Sequence, residues 1–283
     1  MSSALPPPVH AHADAGADDA WSVGPVRLRS RFLLGTAGYP SPAVLGDAIA
    51  ASAAEIVTVG LKRTLAAAGD NGFVAAIREA LARGGARLLP NTAGCRTAQE
   101  AVQLAHLARE LYGTPWIKLE VVGDEHTLQP DPFELVAAAD RLVRDGFTVF
   151  PYCTDDLVTC RRLLDIGCPL LMPWGAPIGS GQGLLNPFAL RTLRERLPDT
   201  VLIVDAGIGA PSHAAQALEL GYDAVLLNSA VAQARDPVAM AGAFRLAVEA
   251  GRRAWRGGVM ARQDFAVPST PVLGDPFLLA EGA

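Results

Sequence analysis

The sequence predicts an α/β fold, a closed (β/α)8 TIM barrel, and three observations carry that expectation. Eight short apolar segments each precede one amphipathic, Ala- and Leu-rich segment. Most of the apolar segments are β-branched and continuous, as strands covered on both faces are, and alternation of strand with helix makes the sheet parallel. The eight units occupy about 225 residues, the usual size of such a barrel. An open doubly wound sheet is the alternative, but it has no reason to stop at eight.

FLLGT from Phe32 opens the series and leads to a helix around 42–53. EIVTVG from Glu55 leads to a helix around 73–84, RLLPNT from Arg87 to one around 97–112, and WIKLEVV from Trp116 to one around 132–145. FTVFPYC from Phe147 precedes a helix around 155–166, and PLLMPW from Pro169 one around 187–197. TVLIVDAG from Thr200 and DAVLLNS from Asp223 complete the set, with helices around 212–220 and 237–253. Residues 1–27 are rich in Ala, Pro, His and Asp without periodicity and are expected to be a flexible tail. Residues 28–256 form the catalytic barrel, and residues 257–283, with Pro268, Pro271 and Pro276, read as an irregular tail folded over one barrel end.

Half of the 283 residues are hydrophobic and 19% are charged, which excludes disorder for the bulk of the chain. A net charge of -5 gives no general attraction to nucleic acid or to an anionic membrane, so the expected partners are small molecules or proteins. Cys95, Cys153, Cys160 and Cys168 show neither a CxxC spacing nor a companion histidine pattern, so they read as reduced thiols without a metal site. With no apolar signal region and no run of membrane-spanning length, a cytoplasmic location is expected.

One strand poses a question. In PWIKLEVVGD, Trp116, Lys118, Glu120 and Val122 share one face while Ile117, Leu119 and Val121 share the other. If the charged face points inward, Lys118 sits in the barrel mouth with Glu120 beside it. Burial disfavours the ammonium form, so the pKa of Lys118 is expected to fall and expose a free amine, the nucleophile of imine formation. The alternatives are a structural ion pair or an outward face whose charges reach solvent.

Glycine-rich turns follow three later strands: APIGSGQG from Ala176, DAGIG from Asp205 and the pair Asn228-Ser229. Glycine lets backbone N–H groups approach an anion, and barrel phosphate sites are commonly built after the seventh and eighth strands, so a phosphorylated substrate is implied. Asp205, the one carboxylate ending an apolar run, is either an acid/base group near Lys118 or the cap of the next helix. Asn91 is a lesser pocket candidate, Cys95 a packing residue or nucleophile, and Cys153 shares that ambiguity. Lys62 and Arg63 meet a phosphate or an acidic partner, or lie in a solvated loop, and His10, His12, His126 and His213 have no evident partner.

The runs NTAGCRTAQEAVQLA, WIKLEVVGD, LQPDPFELVAAADRLVRDGFTVFPYCTDD, MPWGAPIGSGQG, VDAGIGAPSHAAQALELGYDAVLLNSAVA and DPVAMAGAFRLAVEAGR occur in that order. Together, over about residues 31–255, they resemble the thiazole synthase family of bacterial thiamine biosynthesis. The resemblance implies a (β/α)8 barrel in which Lys118 forms an imine with the ketone of 1-deoxy-D-xylulose 5-phosphate and Glu120 and Asp205 move protons. It places phosphate and sugar contacts at Gly179, Ala206, Gly207, Asn228 and Ser229. It also implies a glycine-derived imine (dehydroglycine) as second substrate, sulfur from the thiocarboxylate of a small ubiquitin-like carrier protein, a homo-oligomer, and no metal or organic cofactor. The long N-terminal segment and Trp174, a bulky group at a strand end that would narrow the mouth, depart from the pattern, and Ser229 stands in for a threonine. A Schiff-base lyase of aldolase type and a noncatalytic phosphometabolite-binding barrel are the competing readings.

Overall fold

Parallel pairing of eight strands closes the sheet on itself, each strand pairing with the next in chain order and the last with the first. A computed structural model describes residues 19–62, 75, 77–79, 81–82 and 85–269. The barrel strands are β3 (Phe32–Gly35), β4 (Ile56–Gly60), β5 (Arg87–Asn91), β6 (Trp116–Leu119), β7 (Thr148–Cys153), β8 (Leu170–Pro173), β9 (Val201–Asp205) and β10 (Ala224–Leu227). Described helices lie between them, among them Pro42–Ser52, Ala98–Tyr112, Pro132–Arg144, Leu157–Asp165, Pro187–Arg196 and Pro211–Glu219, with Pro237–Gly257 closing the ring. Of the expected helix around 73–84, residues 75, 77–79 and 81–82 are described and are helical, and the rest lie outside the described residues.

Helix starts are written locally. Ser41, Asp131, Asn186 and Asp236 each accept a hydrogen bond from a backbone N–H in the first turn, and a proline follows each of them at the first helical position. Such a proline has the φ a helix needs and lacks an N–H that would have no partner there.

Alternation along each strand sorts the core into two layers. Leu34, Val57, Ile117, Leu119, Val149 and Val204 pack outward against the helices. Leu33, Ile56, Leu89, Trp116, Phe150 and Ile203 fill the barrel interior. Each outward residue is flanked by inward ones, as the two-residue period of a strand requires.

The expected tail over residues 1–27 is corrected at its end. Residues 1–18 lie outside the described part, but β1 (Trp21–Val23) and β2 (Val26–Leu28) pair antiparallel, Trp21 with Leu28 and Val23 with Val26. The turn between them places Gly24 at φ +56°, which glycine adopts without strain. Trp21, Val23 and Leu28 are buried in the same cluster as the interior residues of the barrel, so this hairpin stoppers the end where the strands begin. Asp19 fastens it, accepting from Arg31 at 3.0 Å and from Arg252 at 2.7 Å. Val23→Ala is expected to cost roughly 2 kcal/mol through lost burial and residual cavity. In urea denaturation the midpoint should fall with an unchanged slope, and an unmoved midpoint would show that the hairpin does not seal the barrel.

A second correction concerns β6, which ends at Leu119 rather than running to Val122. Val122 instead makes an isolated antiparallel bridge to Pro130. At the other end of the chain, residues 258–269 follow the last helix without regular structure and are exposed. Among the described residues no helix is long and apolar enough to cross a membrane.

Candidate active site

The charged face of β6 points inward, since Trp116 belongs to the interior cluster while Ile117, Leu119 and Val121 belong to the outer one. Lys118 therefore projects into the barrel beneath the mouth. Its Nζ lies 3.0 Å from Glu120 Oε1 and 2.8 Å from Asp205 Oδ2, which β9 delivers from across the barrel. The three residues are only 4, 5 and 1% exposed. Two carboxylates and one ammonium thus share a nearly dry site.

The expected fall of the Lys118 pKa is overturned. Burial alone lowers it, but the charges of Asp205 and then Glu120 outweigh that effect, and the net direction is upward. The resting site holds an ammonium. Asp205 responds in the opposite sense to an ordinary salt-bridged acid: burial pushes its carboxyl up, Lys118 pulls it down, Glu120 adds to the rise, and it stands at about 6. A carboxylate of that basicity, 2.8 Å from the ammonium, is placed to exchange a proton with Lys118.

Above these groups opens a pocket of about 660 Å³. Every residue expected to touch substrate lines it: Lys118, Glu120 and Asp205 at its floor, and Gly179, Ala206, Gly207, Asn228 and Ser229 around its rim. Asn228 donates from Nδ2 to the Ala37 carbonyl at 2.8 Å, while its Oδ1 is buried without a protein partner. Close approach of β3 makes this possible, since a Cβ on Gly35 would lie 2.5 Å from Asn228 Cβ.

The glycine turns after β8 and β9 are welded together backbone to backbone. The Gly183 N–H donates to the Gly207 carbonyl at 2.8 Å. Gly207 has φ +77°, and a Cβ there would meet the Ala176 nitrogen at 2.3 Å. Its neighbour Ala206 already sits at φ +70°, unusual for a residue with a side chain. Gly207→Ala is therefore expected to cost about 2–3 kcal/mol in strain, and more if Ala176 cannot yield. A thermal midpoint within one degree of the parent's would contradict this.

Among the lesser candidates, Asn91 lines the pocket, as does Thr58 on β4, which the sequence reading passed over although it shares a face with Ile56. Tyr152 was also missed. Its ring lies 5.5 Å from Lys118 Nζ, its hydroxyl is buried without a protein partner, and burial followed by the Asp205 and Glu120 charges pushes the phenol up. The period from Phe150 was the available signal. Cys95 is fully buried with its thiol pushed up by burial, and Cys153 packs outward with its Sγ 3.9 Å from that of Cys160. Lys62 donates to the Gly94 carbonyl at 2.7 Å. His213 accepts at Nδ1 from the Gly209 N–H at 3.2 Å, His126 is exposed, and Arg63, His10 and His12 lie outside the described residues. Trp174 does not narrow the mouth: its indole N–H donates to Asp155 Oδ1 at 3.1 Å and it is not part of the pocket lining.

Comparison with known proteins gives this site its context. The family model described as "Thiazole biosynthesis protein ThiG" matches residues 22–271. The chain belongs to this ThiG family. A thiazole synthase of Rhodopseudomonas palustris (strain BisB18) is 64% identical over 250 residues, covering 88% of this chain and 94% of the relative. One from Coxiella burnetii (strain RSA 493 / Nine Mile phase I) is 57% identical over 259 residues, covering 92% and 98%. Among solved structures, the Amycolatopsis orientalis BexX/CysO complex matches with a TM-score of 0.75 at 31% identity, covering 86% of this chain and 97% of that one. The ThiG fold is thus the (β/α)8 barrel described above, and its activity is that of a thiazole synthase, a sulfur-transferring enzyme of thiamine biosynthesis.

Proposed function

We propose that this enzyme builds its thiazole through an imine between Lys118 and the ketone of 1-deoxy-D-xylulose 5-phosphate. The observation that carries the reading is the Lys118 amine between two buried carboxylates, 2.8 and 3.0 Å away, on the floor of a pocket rimmed by glycine turns. Asp205 takes a proton from the ammonium, the amine adds to the keto carbon, and the carbinolamine loses water. The iminium that results is an electron sink, so a C–H bond on the neighbouring carbon becomes acidic. Glu120 removes that proton, and its return to another position moves the carbonyl along the chain. Sulfur from the carrier protein's thiocarboxylate then enters, and the glycine-derived imine supplies the ring nitrogen and the carboxylated carbon, giving thiazole carboxylate phosphate.

Gly179, Ala206, Gly207, Asn228 and Ser229 hold the phosphate and the sugar hydroxyls in this reading. The N–H groups of Gly179, Gly207 and Ser229 donate to no backbone carbonyl among the described residues, which leaves them free for an anion, and the buried Asn228 Oδ1 can accept from a hydroxyl. The carrier's C-terminus enters from the mouth, the enzyme is a cytoplasmic homo-oligomer, and the barrel spans residues 28–256. Reconstitution with all three inputs should give the thiazole phosphate, followed by mass spectrometry. Omitting the carrier thiocarboxylate should stop product but leave exchange of substrate protons with solvent. Cleavage of the ketose phosphate without any sulfur donor would instead support the lyase reading.

A further inference from the structure

We propose that Thr92 is a positioning residue that sets the Glu120 carboxylate for proton transfer beside Lys118, an inference that rests on the base role given to Glu120 above. Thr92 follows β5 directly and is fully buried. Its backbone N–H donates to the Lys118 carbonyl at 3.1 Å, the last backbone link between β5 and β6 there. The next pair of backbone groups, the N–H and C=O of Glu120, finds no backbone partner on β5. Both meet the Thr92 side chain: the Glu120 N–H donates to Oγ1 at 2.8 Å, and the same hydroxyl donates to the Glu120 carbonyl at 2.8 Å. A single hydroxyl takes the place of a ladder rung.

This substitution explains why β6 ends at Leu119 and yet Glu120 does not drift. A backbone rung would carry β5 and β6 onward side by side. The hydroxyl instead lets the chain after Asn91 turn away, with Cys95 N–H closing on the Thr92 carbonyl at 3.1 Å, so that Asn91 and Ala93 line the pocket. The backbone of Glu120 meanwhile stays pinned on both sides, with its carboxylate 3.0 Å from Lys118 Nζ. Threonine suits the task because its β-branch restricts χ1 and holds the hydroxyl in one direction. Valine has the same shape without the hydroxyl.

The test compares Thr92→Val, Thr92→Ser, Glu120→Gln and the double variant Thr92→Val/Glu120→Gln. Two quantities are read with 1-deoxy-D-xylulose 5-phosphate: the borohydride-trapped adduct, and deuterium uptake beside the keto carbon in D2O. Thr92→Val should keep the adduct while slowing deuterium uptake roughly 10- to 100-fold, less than the roughly 10²–10⁴-fold that a positioned acid/base group contributes, because the carboxylate is displaced and not removed. Thr92→Ser should recover most of it, and the double variant should be no slower than Glu120→Gln, because both changes remove one function. Adduct and exchange falling by the same factor in Thr92→Val, or losses that multiply in the double variant, would overturn the proposal. If Thr92→Val does not fold, Thr92→Ser decides: with χ1 freed, exchange should drop roughly two- to fivefold at unchanged melting temperature, and parental exchange would overturn it. Undiminished exchange in Glu120→Gln removes the base role of Glu120 and the proposal with it, whereas slow exchange in Glu120→Gln beside normal exchange in Thr92→Val removes the Thr92 role alone.

Discussion

Lys118→Ala is expected to destabilise the barrel by roughly 3–5 kcal/mol near pH 8, because it leaves two buried carboxylates facing each other without their cation. The loss should shrink as the pH falls. In the parent, Asp205 already stands raised at about 6 by burial, with Lys118 holding it from rising further. Without the ammonium, burial and the Glu120 charge act on Asp205 unopposed, and it keeps its proton to a higher pH. A carboxyl whose folded pKa lies above its unfolded value, about 4, contributes fully below the unfolded value and loses that contribution as pH rises through the folded one. The difference between variant and parent should therefore be small near pH 5 and large near pH 8 in urea denaturation. A difference independent of pH, or larger at pH 5, would show that the three charges are not coupled as their distances imply.

Asp205→Asn should lower kcat/KM by about 10²–10⁴-fold, the usual cost of removing an acid/base group. In the proposed mechanism the proton on Lys118 leaves before attack, so the working form of Asp205 is the carboxylate, and it is lost as pH falls through about 6. The parent's kcat/KM should accordingly decline below pH 6, and Asp205→Asn should lack that decline while remaining slow throughout. An identical acid limb in parent and variant would assign the proton transfer to another group. Glu120 is the neighbour to examine in that event, being the second carboxylate on Lys118 Nζ.

What the sequence disclosed about this site, and what it hid, follows from the range of each interaction. Strand alternation is local, so Trp116 and Lys118 could be placed on one face and Ile117 and Leu119 on the other, and both assignments hold. Asp205 closes an apolar run, which marks a strand end at the mouth. The net direction of the Lys118 pKa was not legible in this way. Burial is a property of one residue and its strand, whereas the opposing charge comes from β9, and only the closed barrel fixes its distance.

The hairpin was hidden for a different reason. WSVGPVRL carries Trp21 and Val23 on one side of a Gly-Pro turn and Leu28 on the other, but averaging over residues 1–27 submerged it in the composition of the first eighteen. The early end of β6 was hidden because the partner of Glu120 is a side-chain hydroxyl on another strand, and no periodicity encodes it. Glycines in the mouth were legible as backbone freedom. That Gly207 and Gly209 pack against Ala176 and Gly181 was not, since two separate loops meet there.

The central claim concerns one nitrogen atom, and borohydride reduction in the presence of 1-deoxy-D-xylulose 5-phosphate tests it most directly. Digestion and mass spectrometry should find the reduced sugar phosphate on the peptide containing Lys118, with no adduct in Lys118→Arg. A stable adduct on another lysine, or none on folded and substrate-saturated enzyme, would contradict the account.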